Sequence, residues 1–251
     1  MTTRNMNLNS WLMHRYGLET EFAKIELLNK SIENSPQGKS LIETKGESTI
    51  EAYTGFIDLA GFSDWSLGKS PTEIRNYIVP FLNGAINIVE KFGGITDKTI
   101  GDEIMFFIPY VPESELTGQF PIPSRFLERL SDLTHLKSPN ATGYRLRAAM
   151  SFGKVALTQI GNNPQGYQEW AIFGESIHIA KRLMTAPEAE NPDPFVGLYG
   201  IKDTIAEKNW VLEPFLASID SRFTKHTLSF KGVGNIFYGA AAVRNNGGVN
   251  L

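Results

Sequence analysis

The chain has 251 residues, of which 41% are hydrophobic, and a formal net charge of −3, values typical of a globular protein with a full apolar core. It has no cysteine, which excludes disulfides, thiolate zinc sites and a cysteine nucleophile. The mixed charges give no electrostatic footprint for nucleic acid, and no segment approaches the ~20 apolar residues of a membrane helix. We therefore expect a cytoplasmic protein without a nucleic-acid or membrane partner.

The first 50 residues have the pattern of an appendage. Apolar residues recur at helical spacing from Leu18 to Ile32, and a loop-like NSPQGKS segment follows. The sequence predicts an N-terminal helical extension over 1–50, a main domain over 51–244 and a polar tail over 245–251.

A strand and two helices are predicted to open the main domain. The segment TIEAYTGFIDLAGF alternates in polarity, as a half-buried strand does. Ser63 and Asp64 are good N-caps for a first helix. Ser70 and Glu73 have the spacing of a capping box for a second helix, which Gly93 and Gly94 end.

A hairpin and further strands follow these helices. ITDKTI and EIMFFI flank Gly101-Asp102, a strong short-range hairpin signal. Residues 110–143 form an irregular insert with a short helical patch. The later elements are strands over 144–151, 154–160 and 170–173, a helix over 174–184 and a β-rich tail over 210–238. This order predicts an α+β fold, a mostly antiparallel sheet with helices packed on one face.

Two carboxylates stand at the ends of predicted strands. Asp58 ends the first strand and Asp102 lies at the hairpin tip. Helix capping or turn chemistry explains each one separately, but strand one and the hairpin can lie side by side. Like charges brought together repel, and a divalent cation with hard oxygen ligands, Mg²⁺ or Mn²⁺, relieves that repulsion. The turn from Leu59 through Phe62 to Ser63 would offer backbone N–H groups to a polyphosphate.

Four segments in order carry a family resemblance. FIDLAGFS, GGITDKTIGDEIMFF, LRAAMSFGKV and AIFGESIHIAKRL resemble the catalytic domain of class III adenylate and guanylate cyclases, with a weaker echo at FKGVGNIFYG. The resemblance implies the ferredoxin-like cyclase fold. It also implies an enzyme that converts a nucleoside triphosphate to a 3′,5′-cyclic monophosphate and pyrophosphate.

The resemblance implies roles for the matched residues. Asp58, Asp102 and the backbone carbonyl of Leu59 match the ligands of two divalent metal ions, Mn²⁺ or Mg²⁺. Arg182 matches the transition-state arginine, and His178 stands where the family has an asparagine that orients the ribose. His178 either takes over that hydrogen bond or is a structural histidine. Because the family divides these roles between two domains, a chain with both halves implies a homodimer with shared active sites.

Two further residues match positions that contact the triphosphate. Arg147 matches an arginine that does so in some family members. Lys231 lies near the place of a triphosphate lysine, although Val233 is an alternative counterpart.

Two positions select the purine base in the related cyclases. The first is lysine in adenylate cyclases and glutamate in guanylate cyclases, and Lys98 stands there, which disfavours guanine. The second is aspartate or threonine for adenine; Ala171 removes that side-chain partner, next to bulky Trp170. The departures at Ala171 and His178 resemble the bacterial pyrimidine cyclases of anti-phage signalling (Pycsar systems), whose product a separate effector protein senses. Lys98 can only donate, which favours the uracil carbonyl and hence UTP.

Several alternatives remain open. The chain could be a cytidylate or adenylate cyclase of the same class, or a nucleotide-binding cyclase-fold protein without activity. A diguanylate-cyclase-like enzyme is disfavoured because TIGDEIM lacks the second adjacent glycine of that family's hairpin.

Overall fold

The computed structural model describes residues 47–110, 122–136, 143–160, 169–202 and 224–243. Residues 1–46 of the N-terminal extension predicted over 1–50 lie outside the described residues, as do the polar tail and parts of the predicted insert and β-rich tail; residues 47–50 belong to the first strand. None of the described helices is both long and apolar enough to cross a membrane.

The described residues form strands and helices in a mixed order. They are β1 (Glu47–Leu59), α1 (Phe62–Ser66), α2 (Pro71–Lys91), β2 (Ile95–Ile100), β3 (Glu103–Pro109), α3 (Ile122–Ser131), a 3-10 turn (Asp132–His135), β4 (Leu146–Ile160), β5 (Glu169–Phe173), α4 (Glu175–Leu183), α5 (Pro187–Glu190), β6 (Phe195–Lys202), β7 (Thr224–Phe230) and β8 (Gly234–Val243).

One sheet organises these elements. Its strand order is β2-β3-β1-β4-β6-β8-β7, and β5 pairs with β4 beside this path. The pairs are antiparallel apart from β4 and β6, so the predicted mostly antiparallel sheet is confirmed. Strand β6 was not predicted, because its sequence FVGLYGIK carries two glycines and lacks the alternation of a half-buried strand.

The prediction of separate strands over 144–151 and 154–160 is wrong. Residues Leu146 to Ile160 form the single strand β4, and Phe152 and Gly153 continue its ladder with β1. Gly153 marks a close approach rather than a turn, since a Cβ there would lie 3.1 Å from the Cβ of Ser176 in α4.

The prediction that all helices lie on one face of the sheet is also wrong. A Cβ at Gly197 of β6 would meet Leu127 of α3, whereas a Cβ at Gly200 would meet Leu183 of α4. Positions three apart in a strand point to opposite faces. Helix α4 therefore covers the face opposite α3, and the central strands are buried between two helical layers.

The predicted N-cap is confirmed for helix α2 and is wrong for helix α1. The predicted capping box of α2 is confirmed, because the Ser70 N–H donates to Glu73 Oε2 at 2.9 Å and the Glu73 N–H donates to Ser70 Oγ at 3.3 Å. Helix α1 begins one residue before Ser63, and its N-cap is Gly61 with a φ of 78°. The prediction of Ser63 or Asp64 as that cap is wrong.

Gly55 allows β1 to pack closely between its neighbours. A methyl group at this position would overlap the Phe106 ring and lie 2.7 Å from the Ala149 carbonyl oxygen. We expect Gly55→Ala to lower the free energy of unfolding by about 1–3 kcal/mol, measured by urea denaturation. Glu51→Ala, on an exposed position of the same strand, is the control and should change it by less than about 0.5 kcal/mol. Equal stabilities of the two variants would contradict the packing.

Candidate active site

The carboxyl groups of Asp58 and Asp102 meet at one end of the central strands. Asp58 is the penultimate residue of β1 and is 7% exposed. Asp102 follows Gly101 in the tip between β2 and β3, where the Gly101 φ of 62° suits only glycine well. A side-chain hydrogen bond joins Asp102 to Asp58, and the Leu59 backbone N–H also donates to Asp102.

This contact changes the acidity of Asp102. Burial first, and then the hydrogen bond and negative charge of Asp58, raise the pKa of Asp102 to about 7. The Leu59 and Asp102 backbone hydrogen bonds act in the opposite direction but do not offset the rise. A proton on Asp102 therefore offsets the repulsion between the two carboxyl groups up to about neutral pH.

Arg147 gives Asp58 a counter-charge. The two residues are opposite one another in the β1–β4 ladder, and Arg147 Nε donates to Asp58 Oδ2 at 2.6 Å. A second guanidinium nitrogen, Nη2, contacts the same oxygen. The resemblance placed Arg147 near the triphosphate, and the structure adds an ion pair with a candidate metal ligand.

An aromatic stack supports the turn after Asp58. Trp65 of α1 stacks on Tyr77 of α2 with ring centroids 3.9 Å apart, and Phe62 stacks on Trp65 at 5.9 Å. The Tyr144 hydroxyl donates to the Tyr77 carbonyl oxygen at 2.7 Å. Burial first, and then the negative charge of Asp102, raise the pKa of the Tyr77 hydroxyl. Ser63 is exposed and lies in helix α1, between Phe62 and Trp65.

Sequence patterns gave no indication of this stack. Trp65 and Tyr77 lie on successive helices and Tyr144 lies 67 positions after Tyr77, so only tertiary packing brings the three rings together. The apolar spacing of α2 was the one available signal, and it identifies a buried helix face without naming the neighbour.

Helix α4 presents the residues matched to transition-state and ribose roles. His178 and Arg182 are both exposed, and within the described part of the chain neither side chain forms a hydrogen bond or an ion pair. Between them, Lys181 pairs with Glu103 and lies 5.0 Å from the centre of the Phe56 ring. This pair, which was not predicted, ties α4 to the residue next to Asp102.

The two positions predicted to select the base come from different strands. Lys98 lies on β2 and Ala171, which is 7% exposed, lies on β5; these strands are in contact although they do not pair. Trp170 is on β5 opposite Gln159, and its side chain is outside the described residues. Lys231 is exposed in the turn between β7 and β8, at the opposite edge of the sheet from β2. One chain therefore does not bring Lys231 to the carboxylates.

The donors at Asp58 and Asp102 fit a hard divalent cation. The described residues contain no group of three or more His, Asp or Glu side chains that would enclose a metal. Two carboxylates with water, backbone carbonyl and phosphate oxygens make a ligand set typical of Mg²⁺. The raised pKa of Asp102 reflects burial and a repulsion that such an ion would relieve.

Comparison with known proteins connects this arrangement to the nucleotide cyclases. No protein-family model matches the chain. In solved structures, the guanylate cyclase domain of RhGC from Catenaria anguillulae, in complex with GTP, matches with a TM-score of 0.54 and 16% identity over 79% of this chain and 100% of that one. The chain has the fold of a class III nucleotide cyclase catalytic domain. The predicted fold class is thereby confirmed.

Other proteins share this cyclase fold or part of its sequence. A bacterial light-regulated adenylyl cyclase matches with a TM-score of 0.53 and 18% identity, over 93% of this chain and 66% of that one. The adenylate cyclase of Anabaena cylindrica is 22% identical over 151 residues, and the aggregation-specific adenylate cyclase of Dictyostelium discoideum is 29% identical over 154. The matched segments cover 59% and 57% of this chain but only 30% and 10% of those proteins.

The raised pKa predicts pH-dependent metal binding. Mn²⁺ without nucleotide should bind more tightly as the pH rises through about 7, because Asp102 must lose its proton to act as a ligand. At pH 6 we expect affinity about tenfold below its plateau, with proton release measured by calorimetry in two buffers. Asp102→Asn should weaken binding and remove the pH dependence; an unchanged pH profile in that variant would contradict the assignment.

The same shift predicts a pH effect on the metal-free protein. Between the usual carboxyl pKa of 3.8 and about 7, the native state holds a proton that the unfolded chain has released. The contribution of Asp102 to the free energy of unfolding therefore falls as pH rises through this window. Urea denaturation of the wild type and of Asp102→Asn across the window measures this difference; equal pH dependence of the two proteins would contradict a raised pKa of Asp102.

Proposed function

We propose that the chain is a nucleotidyl cyclase that forms a 3′,5′-cyclic nucleotide and pyrophosphate from a nucleoside triphosphate. The observation that supports it most is the meeting of Asp58 and Asp102 at the strand end and hairpin tip of a cyclase fold. Two converging carboxylates bind a divalent cation well, and nucleotide chemistry requires such a cation beside the phosphates.

The chain's own side chains would bind the substrate and neutralise its charge. Asp58 and Asp102, with the Leu59 carbonyl, would hold two divalent ions, Mg²⁺ or Mn²⁺. When bound, these ions supply a lower pKa for the ribose 3′-hydroxyl and positive charge for the triphosphate. Arg147 lies beside Asp58 in the ladder, so its guanidinium is placed to contact a phosphate once a cation takes over the Asp58 charge.

A second copy of the chain would complete the site. His178 and Arg182 are exposed on one face of α4, and within the described residues their side chains form no hydrogen bond or ion pair, so both are available to a neighbouring protomer. A head-to-tail homodimer would join the carboxylates of one chain to Arg182 of the other. A bidentate guanidinium there suits the charge that develops on the α-phosphate.

We favour UTP among the four substrates. The Lys98 ammonium donates and cannot accept, so it suits a base carbonyl, while buried Ala171 offers the base no side-chain hydrogen bond. Cyclic UMP would then serve a separate effector protein in anti-phage signalling, as the resemblance to the Pycsar cyclases implies. Cytidylate and adenylate cyclase activity are the alternatives within this class.

His178 supports a second candidate, a nucleotide-binding protein without turnover. An exposed imidazole on α4 replaces the amide that orients ribose in the related cyclases, and loss of that orientation would impair catalysis without preventing binding. The presence of Asp58, Asp102 and Arg182 favours the enzyme over this alternative.

Product analysis tests the function. Purified protein with Mn²⁺ and each nucleoside triphosphate should yield a cyclic product, with UTP preferred, as resolved by chromatography. Asp58→Asn or Asp102→Asn should lower the rate by more than about a hundredfold, since each removes a cation ligand. Asp132→Asn, which breaks only the exposed 3.1 Å pair with Arg129, is the matched control. Thermal stabilisation by nucleotide and metal without any cyclic product would favour the second candidate.

Mixing variants tests the shared site. Asp102→Asn and Arg182→Ala should each be inactive alone, whereas a mixture should recover roughly a quarter of wild-type activity, because half of the dimers then carry one intact site of two. The measurement is activity after the two proteins are mixed and exchanged. A fully active monomer at low concentration, or no recovery in dimers shown to exchange, would contradict the dimer.

A further inference from the structure

A β-bulge interrupts strand β2 beside Lys98. The β2–β3 register runs from Thr96 opposite Phe106 to Lys98 opposite Met105, so Asp97 and Lys98 together occupy the place of one residue in a regular ladder. Bulges redirect side chains, and they often lie next to functional sites. The consequence here is that two consecutive charged side chains meet.

The bulge makes an ion pair between sequence neighbours possible. Adjacent residues in a regular strand point to opposite faces of the sheet, which keeps their side chains apart. In this structure Lys98 Nζ lies 3.4 Å from Asp97 Oδ2. The Asp97 side chain is 5% exposed and the Lys98 side chain 41% exposed. A buried carboxylate therefore contacts one side of an ammonium group whose other side faces outward.

Burial of an acid at this position has a cost. A carboxylate this deeply buried costs desolvation free energy, and an apolar side chain of similar size would fit a strand better. The ion pair with this carboxylate restricts the Lys98 ammonium, whose long side chain otherwise samples many rotamers.

The location of this pair connects it to base selection. Strand β2 contacts strand β5, and on β5 the second base-selecting position is Ala171, whose side chain has no hydrogen-bonding group. Of the two base-selecting positions, only Lys98 can therefore form a side-chain hydrogen bond to the base. The direction of its N–H groups depends on where Asp97 holds it.

We propose that Asp97 is a positioning residue that determines base specificity. By holding Lys98, it directs the remaining N–H donors toward a carbonyl group on the edge of the base, as uracil presents, and against an amino group at the same place, as cytosine presents. This inference rests on the proposed function, since it takes the region around Lys98 as the base pocket.

Binding of substrate analogues tests this role independently of turnover. The probes are α,β-methylene analogues of UTP, CTP, ATP and GTP with Mg²⁺, compared by competition against a fluorescent nucleotide. Asp97→Asn removes the charge, and Asp97→Val replaces the buried acid with a residue suited to a strand. Both substitutions should weaken binding of the UTP analogue about tenfold and reduce the UTP-over-CTP preference by a similar factor. The reason is that the charge-assisted hydrogen bond from Lys98 to the base carbonyl is no longer aligned.

Two controls separate positioning from general damage. Asp132→Asn breaks the exposed Arg129–Asp132 pair and should leave the preference unchanged. In a Lys98→Met background, Asp97→Val should have no further effect on the preference, because the two residues act through one contact. Thermal unfolding of each variant shows that it is folded, and kcat with saturating UTP should change less than about threefold, as expected when mainly substrate binding is lost.

The outcomes distinguish this inference from the proposed function. A folded Asp97→Val that keeps the wild-type preference overturns the inference even if the wild type makes cyclic UMP. A shifted binding preference in a protein that makes no cyclic product overturns the cyclase proposal and supports the role of Asp97. A wild type that binds none of the analogues overturns both.

Discussion

Two acidic side chains held together by backbone pairing are the constraint on which this site depends. Asp58 ends β1 and Asp102 follows β2, and the β1–β3 ladder places Ile57 opposite Ile104 just before these ends. The ladder holds the two backbone segments side by side, and a proton or a positive charge relieves the repulsion between the carboxyl groups. A proton on Asp102, the Arg147 guanidinium and a divalent cation are three ways of neutralising the same pair.

Because these three charges neutralise the same pair of carboxyl groups, they compete. A cation bound by Asp58 and Asp102 displaces the proton and weakens the attraction that holds Arg147. In the proposed enzyme, metal binding would therefore coincide with release of a guanidinium beside the phosphates. The site would then exchange ion pairs within the chain for contacts with the substrate. Its buried charged groups would have a partner both before and after the substrate binds, which lowers the cost of their desolvation.

Helix α4 connects this metal end of the chain to the residues offered to a partner. Lys181 pairs with Glu103, the neighbour of Asp102, and precedes Arg182 on the helix. In the proposed dimer Asp102 and Arg182 of one chain serve different active sites. A single ion pair within each protomer would then join the two sites, and the proposed base-binding residue Lys98, with Asp97, lies on the same hairpin.

The sequence by itself determined the features that depend on near neighbours: the capping box of Ser70 and Glu73, the hairpin at Gly101, and the order of the motifs around Asp58 and Asp102. Their hydrogen bonds and turns form within a few residues, so composition and spacing specify them. Tertiary structure alone decided the rest. The Arg147–Asp58 pair joins residues 89 positions apart, Gly153 continues a strand because it pairs with β1, and the Asp97 bulge exists only in the register with β3. Each of these depends on which surface a residue meets, and a linear pattern of polarity does not contain that information.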